Sequence, residues 1–196
     1  MPPTLREELG AGAYWFSFLI QSGRAALVPV YKGSYQRSIG SPFLPHIWHE
    51  IVIKSAKDLR RAVDYLGTRP EIDSARIAHF TLSSGVALGP IMTAVEPRFK
   101  ASVLVSGGLF PWRHPPEVEA INFAPHVRVP TLLINGRFDF YYPYETSQVP
   151  LFELLGLPPE DKRHRHFESG HMPVERSEII RESLDWLDRY LGRVNR

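Results

Sequence analysis

Short, nearly continuous apolar runs alternate along this chain with longer stretches in which apolar residues recur every three or four positions. The runs 25–31, 77–82, 101–106, 131–135 and 164–167 predict strands, and Pro29 places the first of them near an edge or a bulge. Helical spacing is predicted over residues 4–22, with Tyr14, Trp15, Phe18 and Leu19 as an aromatic-rich stripe. A second helix opens at Pro45 and ends at Gly67, carrying Ile47, Ile51, Leu59, Val63 and Leu66. Further helices are predicted over 84–95, over 145–155, and from about Val174 through Ile180, Leu184, Leu187 and Leu191. Residues 110–128 show no period and read as loop with a short helix. Strands alternating with helices of this length predict βαβ units, a mainly parallel sheet and right-handed crossovers. Strands apolar on both sides require helices on both faces. The expected fold is α/β, a three-layer sandwich.

Composition narrows the picture. With 196 residues and 43% hydrophobic content, the chain can bury one sizeable core, so residues 1–196 are expected to form a single domain. Its 23 Lys and Arg nearly balance 21 Asp and Glu, for a formal net charge of +2. Such a balance gives no field for nucleic acid or an anionic membrane. The densest basic run, residues 162–166, follows Glu160 and Asp161 and reads as a solvated loop and strand edge. The absence of cysteine excludes disulfides, cysteine-ligated zinc and thiol nucleophiles. The apolar run 11–20 is too short to span a bilayer, and Arg6, Glu7 and Glu8 before it are unlike a signal peptide, so a cytoplasmic location is expected. There is no phosphate-binding glycine loop, and no cofactor is expected. His164 and His166 lie two apart on one predicted strand but lack a third ligand, so no metal is expected either.

In an open α/β sheet, ligands bind beyond the carboxyl ends of the strands, and three polar residues stand there. Ser83 follows the strand 77–82 in "HFTLSSGVALGP", Asp139 follows 131–135 in "LLINGRFDFYYP", and His171 follows 164–167 in "HRHFESGHMP". The first stretch reads as a sharp strand-to-helix turn presenting one serine, an imperfect G-x-S-x-G with Thr81 in the first glycine's place. A serine hydroxyl needs an imidazole to accept its proton, and the imidazole needs a carboxylate to fix its tautomer. Gly85 is expected to let the helix approach closely, and Gly170 to free the turn that carries His171. Each residue also has a plainer reading. Ser83 would serve as a helix cap, Asp139 as a turn former, and His171 as a loop histidine. It is their joint order, Ser, Asp, His, that matches an α/β-hydrolase.

Around these residues, "LSSGVALGPIMTAVEPRFKASVLVSGG" and "VPTLLINGRFDFYYPYETSQVPLFELLG", with "SGRAALVPVYKGSYQR" and the segment from Asp161 to Gly192, resemble C-terminal hydrolase domains of bacterial multidomain proteins. That group belongs to the α/β-hydrolases and is similar to dienelactone hydrolases and prolyl-oligopeptidase-type esterases. The resemblance implies an α/β-hydrolase fold and a carboxylic-ester hydrolase. Because the opening helix is predicted from residue 4, that fold is expected to be N-terminally shortened, and the small amount of cap-like sequence points to short-chain esters. In the hydrolase so implied, Ser83 is the nucleophile, Asp139 the orienting acid and His171 the general base. The backbone N–H of Ser84 is one oxyanion donor, and the loop that supplies the other in such enzymes is not visible in the sequence. Tyr31 is a candidate substitute. One missing donor costs about 3 to 4 kcal/mol of transition-state stabilisation. The chain thus reads as the C-terminal part of a longer hydrolase, with a small-molecule ester as its partner and either a homodimer or a further segment completing the sheet. Two rivals are a peptidase of the same fold and a catalytically weak or inactive interaction module. Phe110, Trp112 and Phe123 read equally as a pocket cover or as packing on the sheet.

Overall fold

The computed structural model describes residues 14–34, 37–39, 44–172 and 175–194. The chain divides into two compact units, Met1–Ser74 with Arg193–Arg196, and Ala75–Gly192.

In the first unit, α1 covers residues 14–21; the part of this helix expected over 4–13 lies outside the described residues. The long helix α2, Pro45–Gly67, has the bounds that its proline and glycine predict. It buries Trp48, Ile51, Val52, Ser55, Leu59 and Val63, a stripe at helical spacing. The preceding turn is tied to α2 through Asp58, whose Oδ2 accepts the Lys32 N–H at 2.8 Å and pairs with Arg37 at 2.9 Å. The strand expected over 25–31 does not form. A strand needs a ladder, and no strand exists in this unit among the described residues. Pro29 removes one donor, and Leu27 and Val28 stay exposed.

The second unit is a parallel sheet in strict chain order. It runs β1 (Ile77–Leu82), α3 (Ser84–Val95), β2 (Phe99–Val105), α4 (Ala120–Phe123), β3 (Thr131–Gly136), α5 (Val149–Leu154), β4 (Lys162–Phe167) and α6 (Arg176–Leu191). All three strand pairs are parallel, in the order β1-β2-β3-β4. The central strands β2 and β3 are almost wholly buried, as their unbroken apolar runs require. Helices cover both sides of the sheet. Helix α3 packs on β1 and β2, where the absence of a side chain at Gly89 admits Leu104. Helix α6 packs on β1, β2 and β3, its buried Trp186 donating from the indole N–H to the Pro130 carbonyl at 3.4 Å.

The basic run 162–166 is β4 itself, an edge strand. Its alternation sends Arg165 to Glu182 of α6 at 3.1 Å, while His164 and His166 face Tyr144 on the other side. Residues 145–155, expected as one helix, are a π-helical turn, Tyr144–Gln148, followed by α5. The sheet register sets up the site. Leu82 pairs with Val105 and Val105 with Ile134, so β1 and β2 end level while β3 runs on two residues to Gly136.

Candidate active site

Ser83 stands between the last residue of β1 and the first of α3, with φ 51° and ψ −120°. A non-glycine residue in this sparsely populated region costs about 1–3 kcal/mol and persists only where its surroundings impose it. Here its N–H donates to the Val105 carbonyl at 2.8 Å and its own carbonyl accepts from the Val86 N–H at 2.9 Å. Gly107, on the loop after β2, lies so close that a side chain there would strike the Ser83 carbonyl and Val86. The serine occupies the cap position of α3 but makes no side-chain cap bond. Instead its hydroxyl lies 2.9 Å from His171 Nε2.

His171 links the serine to the acid. Its Nδ1 lies 2.8 Å from Asp139 Oδ2. A carboxylate only accepts, so Nδ1 carries the proton and Nε2 is left as the acceptor for the Ser83 hydroxyl. The Asp139 side chain is fully buried, while that of His171 keeps 20% exposure. Burial of a carboxylate is tolerated only with donors around it. Asp139 Oδ1 accepts the backbone N–H groups of Tyr141 at 2.9 Å and Tyr142 at 3.1 Å. The aspartate is therefore a turn former and the partner of His171 at once, one oxygen for each.

Residues that the sequence reading passed over hold this turn. Gln148 is fully buried on the π-helical turn, and its side-chain amide donates to the Gly136 carbonyl at 2.9 Å and the Tyr142 carbonyl at 2.7 Å. It thus clamps both ends of the segment that carries Asp139. Gly136 itself has no room for a side chain, because the Ser169 and Gly170 carbonyls of the histidine loop press on it. Gly170, expected to free that loop, has open space around it and no left-handed φ, so the required glycine is Gly136. Tyr142 is buried with its ring stacked on His171 at 5.9 Å, and Tyr141 meets the same imidazole edge-on at 5.0 Å. Burial, with Asp139 second, pushes the Tyr142 phenol up to about 12, so it stays protonated beside the aspartate. The density of rings in "RFDFYYPY" was the one available signal for these two tyrosines.

Other expected residues fall as follows. Ser84 is the first residue of α3, so its backbone N–H is among those that a helix leaves unpaired at its start. Tyr31 belongs to the first unit, where burial, then Asp58, raises its phenol to about 12. His164 Nε2 donates to Asn135 Oδ1 at 2.9 Å, and Asn135 Nδ2 donates to the Gly107 carbonyl at 2.8 Å. Among the described residues no three metal-ligating side chains converge. Phe110 stacks on Trp112 at 4.8 Å and lies 6.0 Å from Tyr142, so this stretch joins the ring cluster around His171.

No family model and no curated protein matches the chain. Among solved structures it is similar to a zinc-bound, cold-adapted esterase from an Arctic intertidal metagenomic library, at 25% identity and a TM-score of 0.60, over 79% of this chain and 66% of that one. A PEG-bound complex of a cold-adapted esterase from such a library gives 24% identity and a TM-score of 0.62, over 82% and 67%. A dipeptidyl aminopeptidase IV-like protein from Bacteroides ovatus shares the fold alone, at 16% identity and a TM-score of 0.59, over 71% and 23%. The chain spans just under two thirds of the zinc-bound esterase's length. These neighbours share the parallel α/β architecture of the chain. The chain has the α/β-hydrolase fold, in shortened form.

Proposed function

We propose that this protein is a serine hydrolase that cleaves short-chain carboxylic esters through an acyl-enzyme. The observation that carries the reading is the hydrogen-bond relay from Ser83 through His171 to buried Asp139, hung on a strained turn. The placement of the three residues beyond the carboxyl ends of β1, β3 and β4, and the esterase likeness, support it.

In this reading Ser83 Oγ attacks the ester carbonyl carbon while His171 Nε2 takes its proton. Asp139 keeps the imidazole in the accepting tautomer and stabilises the imidazolium that forms. The Ser84 N–H donates to the oxyanion as negative charge develops there. His171 then delivers its proton to the departing alcohol oxygen, leaving Ser83 acylated. Water, deprotonated by the same imidazole, attacks the acyl carbon, and the imidazolium returns that proton to Ser83 Oγ as the carboxylic acid leaves.

The test is hydrolysis of p-nitrophenyl acetate and butyrate by the protein beside its Ser83→Ala variant. Turnover by the parent that vanishes in the variant is expected. Equal, near-background rates in both overturn the reading and favour an interaction module.

A further inference from the structure

Three rings on the aspartate turn, Phe138, Phe140 and Tyr141, are exposed to a degree unusual for large apolar side chains, and the last two pack on each other. Phe140 is 73% exposed and Tyr141 58%, although the residue before them is buried Asp139 and the one after is buried Tyr142. The turn itself does not need these side chains. Its bonds to Asp139 use the backbone N–H groups of residues 141 and 142. The two rings lie 4.0 Å apart, centroid to centroid, and inclined by 34°. They form a continuous surface that ends on the imidazole, since Tyr141 is 5.0 Å from His171.

We propose that Phe140 and Tyr141 form a subsite for the alcohol portion of the substrate, and that this portion is flat and apolar, such as an aryl group. The inference rests on the ester-hydrolase reading. In that chemistry the imidazole must hand its proton to the departing alcohol oxygen, so the leaving group passes within hydrogen-bond reach of His171 Nε2. A ring surface contiguous with that imidazole therefore faces the alcohol rather than a remote part of the acyl chain. Aromatic faces favour offset or inclined partner rings over aliphatic chains, beyond the effect of area alone. An exposed pair of rings beside a reacting centre recovers that interaction only when a flat ligand settles on it. Phe110 and Trp112 approach through the other tyrosine, Tyr142, so the two ring surfaces reach His171 by separate routes.

The experiment compares kcat/KM for 2-naphthyl acetate and ethyl acetate in the full chain and in Phe140→Ser and Tyr141→Ser. Both esters share the acyl group, and the intrinsic reactivity of each leaving group cancels between parent and variant. The naphthyl-to-ethyl ratio is expected to fall about tenfold in each variant, equivalent to about 1.4 kcal/mol. Phe140→Tyr, which keeps a ring, should retain the ratio. Inhibition by 2-naphthol, read as KI, should weaken in parallel in the two serine variants. An unchanged ratio with Ser83-dependent turnover intact overturns the subsite and leaves the hydrolase reading standing. Absence of Ser83-dependent turnover of either ester sinks both.

Discussion

Thr81 Oγ1 fills the space into which a side chain at Gly85 would grow, so the two ends of the strand-to-helix turn are shaped for each other. A threonine where such turns carry glycine is therefore accommodated, and Gly85 is what accommodates it. Gly85→Ala should push α3 or Thr81 aside and displace Ser83. A shift of about 1 Å at a reacting atom costs on the order of 100-fold in rate. Adding Thr81→Gly should restore most of that loss, because the clash is between these two positions. Activity of the single and double variants on p-nitrophenyl acetate checks this. Two losses that simply add would refute the pairing.

A second contrast separates two glycines near the histidine. Gly136→Ala places a methyl group against the Ser169 and Gly170 carbonyls, while Gly170→Ala meets nothing. The first should lower stability by about 1–3 kcal/mol, the range for overpacking, and reduce turnover by well over tenfold. The second should leave both near the parent. Denaturant melts and steady-state rates distinguish them, and equal effects would show that the loop does not rest on Gly136.

Asp139→Asn keeps an oxygen to accept the Tyr141 and Tyr142 N–H groups but presents an amide to His171. The turn should survive while the imidazole adopts the wrong tautomer. The expected result is a drop of roughly 10,000-fold in kcat with an unchanged circular dichroism spectrum. A loss below tenfold would mean that Asp139 does not orient His171.

Acid should weaken the fold through two histidines away from the site. Burial pushes His79 down to about 4, and burial followed by neighbouring His166 pushes His164 down to about 3, against 6.5 for an exposed imidazole. Below about pH 6.5 the unfolded chain binds protons that the folded chain refuses, so their contribution is fully present above that pH. It is lost progressively as pH falls toward 4 for His79 and toward 3 for His164. Tm should fall through this window, and His164→Gln, which retains an amide donor for Asn135, should flatten the slope. A variant profile parallel to the parent's would count against His164 as a source.

How much of this was legible in the sequence depended on where the information is local. The bounds of α2, β1 and α3 follow from Pro45, Gly67, the apolar run 77–82 and the Ser-Gly turn, each acting within a few residues. Residues 25–31 have the same local look but lack the neighbour that makes a strand, and a neighbour is a tertiary fact. Ser83, Asp139 and His171 could be singled out because strand ends mark them. Gln148 could not, since its role exists only because a π-helical turn aims its amide at two carbonyls. The role of Gly136 was hidden for the same reason, as the backbone that presses on it comes from a loop more than thirty residues later.

The strands lie side by side in the order in which they are synthesised. A growing polypeptide thus builds its sheet outward, one strand at a time, and the proposed nucleophile is made 88 residues before its imidazole. Until β4 and the loop beyond it have been added, Ser83 is a plain hydroxyl with nothing to take its proton. On the proposed reading, reactivity is thereby postponed to the end of assembly, which would spare an unfinished chain, and whatever surrounds it at the ribosome, from premature acylation.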